Sequence, residues 1–418
     1  MGMSDFSGKP AGDRFKLAGI LLLALFVLAG IIYSALVPPV ARFTDEQEYL
    51  KLSDHLVHGP GFSLDGVNPT AARAPGYAFF LAALRLGGGD FIAFRVVQFF
   101  LLGATILLVA RLGAGRPIFA GTLLVTALVV CYPVLFYTSS TLYPQTLSAF
   151  LFVAALSFLL AAPRGPAMDL GAGISFGALI LVVPTFLPTM IIVLGTAGFL
   201  KLIPWRKAML VAIIAGIVVG AWTARNTIVL HHFVPVATNS GLNLLEGNNH
   251  EANPEAAANV GMEPSYNHVS SFHLDEFQAD QYYRAAAVAW MKANPVDAFI
   301  LYLEKVANFF NLRNVYSSEA QPEVSVWKQV VMGGSYLLLL GLLAWRLIDV
   351  RRFPLTPREK LFLIVYVLSA FTSAIFFTRI RHRLPYDFLI IAVIAVNLSA
   401  RWQPRWANRS GLGEQNSF

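Results

Sequence analysis

Residues 17 to 49 read LAGILLLALFVLAGIIYSALVPPVARFTDEQEY, and this stretch decides the class of the protein. Its first part, 17 to 37, carries no charge and is almost wholly apolar. A helix of that length, rising about 1.5 Å per residue, crosses a hydrocarbon core of about 30 Å. Pro38-Pro39 end the run, since proline lacks the amide donor a continuing helix needs. Thr44-Asp45-Glu46-Gln47 then predict a new helix, with Thr44 as cap, Gln47 completing a capping box and Asp45 and Glu46 in the first turn. Tyr49, Leu50, Leu52 and Leu56 give that helix one apolar face, so it is expected to lie along the membrane surface.

Nine further apolar runs follow, at 90 to 112, 117 to 138, 140 to 162, 168 to 183, 184 to 203, 207 to 230, 326 to 347, 358 to 378 and 384 to 402. Of the 418 residues 56% are hydrophobic and 13% charged, against roughly 45–50% and 25% in soluble domains. The expected fold is therefore an all-α integral membrane protein of about ten transmembrane helices. Interfacial helices belong to its first outer loop, and a mostly helical outer region separates spans seven and eight. Three parts are expected: a transmembrane module at 1–230, an outer loop domain at 231–325 and C-terminal transmembrane helices at 326–418. The single cysteine, Cys131, excludes an intramolecular disulfide and a thiolate zinc cluster.

The net charge of +7 gathers at the ends of apolar runs and not on one soluble face, which argues against nucleic acid as a partner. Arg14, Lys16, Arg111, Arg116, Arg164, Lys201, Arg206, Lys207, Arg346 to Lys360 and Arg401 to Arg409 mark one side. By the positive-inside rule both termini are cytoplasmic, and residues 38 to 89 and 231 to 325 lie outside. No small-residue cleavage site follows the first run, so it reads as a retained anchor. In the second outer stretch, helices are expected at about 275 to 292 and from Pro295 onward, capped by Asn294, while Gly241 to Tyr266 reads as loop.

Charges near the spans sit at their outer ends: Asp90, Arg95, Arg225, Lys328, Arg379, Arg381, Arg383 and Asp387. Buried ionisable groups are costly in hydrocarbon, and ion-coupled carriers place them near the midplane. The pattern points to a site at the outer membrane boundary. Asp45 is open to two readings, a chemically active carboxylate or a first-turn acid complementing the helix dipole. Arg73 is likewise either a phosphate ligand or a lipid-headgroup contact. His231, His232, His250, His268 and His273 have no metal-ligand spacing.

Five segments carry a resemblance: Asp45-Glu46 with Tyr49, Arg73-Ala-Pro-Gly-Tyr77, Trp222-Thr-Ala-Arg-Asn226, PVATNSGLNLLEGNN at 235 to 249, and Arg381-His-Arg-Leu-Pro385. In this order the chain resembles the GT-C superfamily of polytopic glycosyltransferases, in the bacterial branch related to protein O-mannosyltransferases and aminoarabinose transferases. The resemblance implies that Asp45 is the catalytic base, with Glu46 as the alternative. It implies that Arg73, Arg225, Arg381 and Arg383 hold the donor phosphate. It places Tyr49, Tyr77, Tyr143, Gln145, Asn226, Asn243 and Asn248 among the substrate-binding residues.

The implied partners are a polyprenyl-phosphate-linked sugar donor, a glycan, glycolipid or protein acceptor, and membrane lipid, in a bacterial inner membrane with the active site facing the periplasm. The implied reaction is inverting displacement at the anomeric carbon, with no required cofactor. Many relatives have an acid where Tyr143-Pro144-Gln145 stands here, and neutral Gln145 disfavours a bridged divalent metal. Many also have an Arg before the Pro-Thr pair that follows Val182-Val183 here. A lipid-linked sugar flippase or a non-catalytic glycan-assembly partner are the alternative functions.

Overall fold

The computed structural model describes residues 11–113, 118–161, 165–255, 261–312, 315–316 and 326–401. The expected basic positions Arg116, Arg164 and Arg405 to Arg409, and the acidic Glu319 and Glu323, lie outside the described residues. The described residues form α-helices and no strands. In chain order these are α1 (Ala11–Leu36), α2 (Thr44–His58), α3 (Pro75–Leu86), α4 (Phe91–Gly113), α5 (Ile118–Val130), α6 (Pro133–Ser139), α7 (Gln145–Leu159), α8 (Pro166–Val182) and α9 (Phe186–Phe199). They continue with α10 (Trp205–Leu230), α11 (Ser240–Gly247), α12 (Glu263–Ser271), α13 (Glu276–Ala293), α14 (Pro295–Phe309), α15 (Val326–Ile348), α16 (Pro357–Ser373) and α17 (Ile380–Arg401).

The protein is an all-helical membrane protein, but its helices divide the apolar sequence unevenly. Among the described residues, Leu17–Leu36, Phe91–Gly113, Trp205–Leu230 and Val326–Arg351 are long and apolar enough to cross a bilayer unaided. The run expected to span at 117 to 138 breaks into α5 and α6, bent by 81°. Pro133 opens α6 and cannot donate to the preceding turn, which sets the break there. Helices α3, α7, α8 and α9 are apolar but shorter. Helix α17 is buried continuously from Arg383 to Ala395 and packs against α4, α5, α7, α15 and α16, so protein and not lipid surrounds it. That environment accommodates Arg383 and Asp387 inside an apolar helix.

Close packing fixes the wall behind the site. A Cβ on Gly173 or Gly177 of α8 would meet Ile214 at 2.5 Å or Val218 at 2.6 Å of α10. This four-residue spacing of small residues lets the two backbones approach. Arg95 Nη1 donates to the Val37 and Pro38 carbonyls, both at 3.1 Å, and so fixes where α1 hands over to the first outer loop. The loop is tied to the second outer region through Glu276, whose carboxylate accepts from Thr70 Oγ1 at 2.6 Å and Ala71 N at 2.7 Å.

Two local expectations need correction. Thr44 is not the cap of α2 but its first helical residue; Phe43 is the N-cap. The Glu46 carboxylate, and not the Gln47 amide, closes the turn by accepting from the backbone amides of Arg42 and Phe43. Gly241 to Tyr266 is not all loop, since it holds α11 and the start of α12. Helix α11 forms because Asp280 of α13 accepts from the Gly241 amide at 2.5 Å, a long-range cap no local pattern announces. Asp275 caps α13 by accepting from Gln278 N at 2.8 Å, and Asn294 holds the expected N-cap position of α14, although its side chain donates back to Trp290 O at 3.0 Å and not to the new helix.

Candidate active site

The site begins at the first turn of α2. Glu46 faces inward and is buried: its Oε1 accepts from Leu142 N at 2.7 Å, its Oε2 from the turn before α2. Burial pushes its carboxyl up, although those three amides oppose the shift. Glu46 thus joins α2 to the segment preceding α7 and does not line the cavity, so the reading of it as an alternative base finds no support in this geometry. Its neighbour Asp45, about 100° round the helix, lines the cavity instead.

Asp45 meets two guanidinium groups from distant parts of the chain. Arg73 Nη2 lies 2.7 Å from Oδ1, and Arg381 Nη1 lies 3.1 Å from Oδ2. Arg73 also pairs through Nε with Glu48, one turn along α2. Burial acts to raise the Asp45 pKa, but Arg381 and Arg73 outweigh it, and the carboxyl sits below its usual range. The Arg381 guanidinium lies 4.6 Å from the centre of the Tyr143 ring. A cavity of about 200 Å³ opens beside this group. Among its lining residues are Asp45, Tyr49, Arg73, Tyr143, Gln145, Asn243 and Arg381. Its apolar side includes Val182, Phe186, Phe376, Phe377 and Tyr386.

Five other expected site residues are held elsewhere. Arg225 donates to Thr70 O at 2.7 Å and Asn226 Oδ1 at 3.0 Å, and lies 4.7 Å from the Trp222 ring centre. It clamps the first outer loop to α10. Arg383 is buried among the Phe309 carbonyl at 2.9 Å, Asp387 at 3.4 Å and the Tyr336 ring at 3.4 Å from its centre. Asn226 donates to Val234 O at 3.1 Å and Val236 O at 3.3 Å. Asn248 donates to Leu244 O and Ile375 O and accepts from Lys305 Nζ at 2.9 Å. The expectation that Arg225 and Arg383 join Arg73 and Arg381 around one phosphate is therefore not met: neither lines the cavity, because each guanidinium is occupied by backbone carbonyls. Tyr77 is fully buried against Tyr49 and bonds Gln98 Oε1 at 3.2 Å, behind the cavity wall.

The sequence reading missed Thr185, Asn239, Ser240, His382 and Tyr386, all on the lining. Asn239 and Ser240 belong to the quoted segment 235 to 249, which was the signal available for them. Thr185 belongs to the Pro-Thr pair after Val182-Val183, and His382 to the quoted segment 381 to 385, so those two also lay in segments the sequence singled out.

A crystal structure of ArnT from Cupriavidus metallidurans bound to undecaprenyl phosphate aligns with 11% identity and a TM-score of 0.47, covering 93% of this chain and 62% of that one. This chain thus spans less than two thirds of the ArnT structure's length. No protein-family model matches the chain, nor does any curated protein.

The donor set bears on metal chemistry. Asp45 and Glu48 are both paired with Arg73 beside the cavity, and Glu246 lies within electrostatic reach of Asp45, Arg73 and Arg381. Among the described residues no three His, Cys, Asp or Glu side chains converge in a metal-binding group.

Proposed function

We propose that this protein is an integral-membrane glycosyltransferase that takes a sugar from a polyprenyl-phosphate donor at the outer membrane boundary. The observation that carries the reading is the Asp45 carboxylate shared by Arg73 and Arg381 on the wall of a cavity with one apolar side. Two guanidiniums suit the donor's phosphodiester and, better still, the phosphomonoester it becomes as the sugar leaves, and the apolar lining suits an isoprenoid chain. The acceptor hydroxyl attacks the anomeric carbon, the carbon–oxygen bond to the donor phosphate breaks, and its electron pair stays on the phosphate. Arg73 and Arg381 stabilise that developing charge. The hydroxyl proton passes to Asp45, which is ionised at neutral pH.

Donor binding also prepares the base. A phosphate competing for Arg73 and Arg381 weakens the two contacts that depress the Asp45 pKa, and burial then raises its basicity. Inversion at the anomeric centre, cytoplasmic termini, a periplasm-facing cavity and independence of metal complete the proposal.

The test is transfer from a polyprenyl-phosphate sugar, with the protein in liposomes, comparing wild type with Asp45→Asn. Loss of a general base is expected to lower the rate by about 10²–10⁴. Wild-type activity in the Asn variant removes Asp45 from the mechanism.

A further inference from the structure

Within the region expected as an outer loop domain, α14 carries an apolar stripe that the described residues leave uncovered. Val296, Phe299, Ile300 and Leu303 are 68%, 61%, 50% and 46% exposed. At 3.6 residues per turn these four side chains fall within an arc of about 100°. Leu301, Lys305, Asn308 and Phe309, on the far side of the same helix, are buried.

The helix cannot turn its stripe inward, because the far side is already engaged. Lys305 Nζ donates to Asn248 Oδ1 at 2.9 Å, Thr378 Oγ1 donates to Lys305 O at 2.9 Å, and Asn308 Nδ2 donates to Thr378 O at 2.9 Å. Rolling the helix would leave these buried groups without partners, which is costly.

The two flanks of the stripe differ, and the difference identifies what covers it. On one flank Asp297 and Glu304 are exposed, which turns that side to water. On the other, the Tyr302 hydroxyl donates to Phe371 O of α16 at 3.1 Å. Helix α16 bears its own ladder of exposed apolar side chains, Ile364, Val367, Leu368 and Phe371, continued by Ile375. On a helix of an all-helical membrane protein such a ladder is a surface for lipid, and the α14 stripe extends it sideways. An apolar helix face bordered by charge on its far edge suits the boundary between acyl chains and headgroups. A water-soluble partner would have to displace lipid from the α16 ladder to cover both.

We propose that α14 is seated in one leaflet of the bilayer, with Val296, Phe299, Ile300 and Leu303 among the acyl chains and Asp297 and Glu304 at the headgroups. The lipid surface is thus a binding partner of the region between spans seven and eight, and not only of the spans. Through the Lys305 carbonyl and the Asn308 amide the same helix holds Thr378, next to Phe376 and Phe377 of the cavity lining, so the leaflet supports one wall of the site. The lipid contact stands independently of the transferase reading.

The experiment places an environment-sensitive fluorophore at single cysteines of the full chain in phosphatidylcholine nanodiscs, with Cys131→Ser removing the native thiol. Val296→Cys, Phe299→Cys, Ile300→Cys and Leu303→Cys are compared with Asp297→Cys and Glu304→Cys. Labels at the four apolar positions are expected to lose fluorescence to lipids brominated on the acyl chain and to be shielded from aqueous iodide. Labels at 297 and 304 are expected to show the reverse, so that accessibility follows the helical repeat. Iodide quenching of all six alike overturns the proposal, since the stripe then faces water. Protection of the four from both quenchers also overturns it, since protein then covers the stripe, whether another segment of this chain, a second copy or a partner. Where a labelled variant does not fold, the wild-type chain in nanodiscs containing a lipid with a diazirine on its acyl chain decides. Photo-adducts within 296–303 uphold the proposal, and adducts on the α16 ladder with none on α14 overturn it.

Discussion

Replacing Arg73 by Lys keeps the charge and removes the fork, which separates phosphate recognition from simple charge balance. In the resting site Arg73 reaches Asp45 with Nη2 at 2.7 Å and Glu48 with Nε. A lysine ammonium can approach one of these at a time and cannot present two parallel donors to a phosphate. The loss is then one charge-assisted hydrogen bond, worth about 1.5–3 kcal/mol when desolvated. With the Arg73 side chain 25% exposed, solvent screening brings this towards the lower end. A difference near 1.4 kcal/mol is about tenfold in affinity. Arg73→Lys is therefore expected to weaken undecaprenyl phosphate binding about tenfold, measured by titration in nanodiscs. Turnover should fall further, because charge on the phosphate grows as the bond breaks. Unchanged lipid-phosphate affinity together with a lower melting temperature would refute the reasoning and make Arg73 a tie between α2 and its loop.

Arg225→Gln is expected to lower the melting temperature while leaving the donor KM within about twofold, since Arg225 holds the Thr70 carbonyl and not the cavity. A raised KM without loss of stability would return Arg225 to the phosphate site. Assays in excess chelator should proceed at the untreated rate, because Asp45 and Glu48 are paired with Arg73 and no three described acidic or histidine side chains converge on a metal site; rate loss restored by magnesium or manganese would contradict this. Burial pushes Lys305 down to about 7. The unfolded chain, with lysine near its ordinary value, binds more protons than the folded one between about pH 7 and 10, so this group makes stability rise with pH across that window and adds no slope below it. Thermal melts of wild type and Lys305→Met at pH 7 and 9 check the sign: the variant should lose that part of the rise, and parallel profiles would exclude Lys305 as its source.

Much of the architecture was legible in the order of residues. Apolar runs of bilayer length announce a helical membrane protein because backbone polar groups in lipid must be satisfied within the segment. Asp45, Arg73, Tyr143, Gln145, Asn243 and Arg381 were each selected from sequence segments and share one cavity. Local chemistry was less dependable where two neighbours compete for one role. Asp45 and Glu46 are indistinguishable as first-turn acids, and only the inward turn of Glu46 onto Leu142 N separates them.

Sequence by itself determined that the chain is helical and apolar enough to enter a membrane, where helices stop at prolines, and which polar residues gather at the ends of apolar runs, since each depends on the solvent the segment meets and on its nearest neighbours. Tertiary structure alone decided which arginines remain available. Arg225 and Arg383 sit in span-end motifs like that of Arg381, yet carbonyls of Thr70 and Phe309, contributed by segments far away in the chain, occupy them. A guanidinium has five donors and no fixed partner written beside it, so its role is set by whatever acceptors the folded chain brings within about 3 Å.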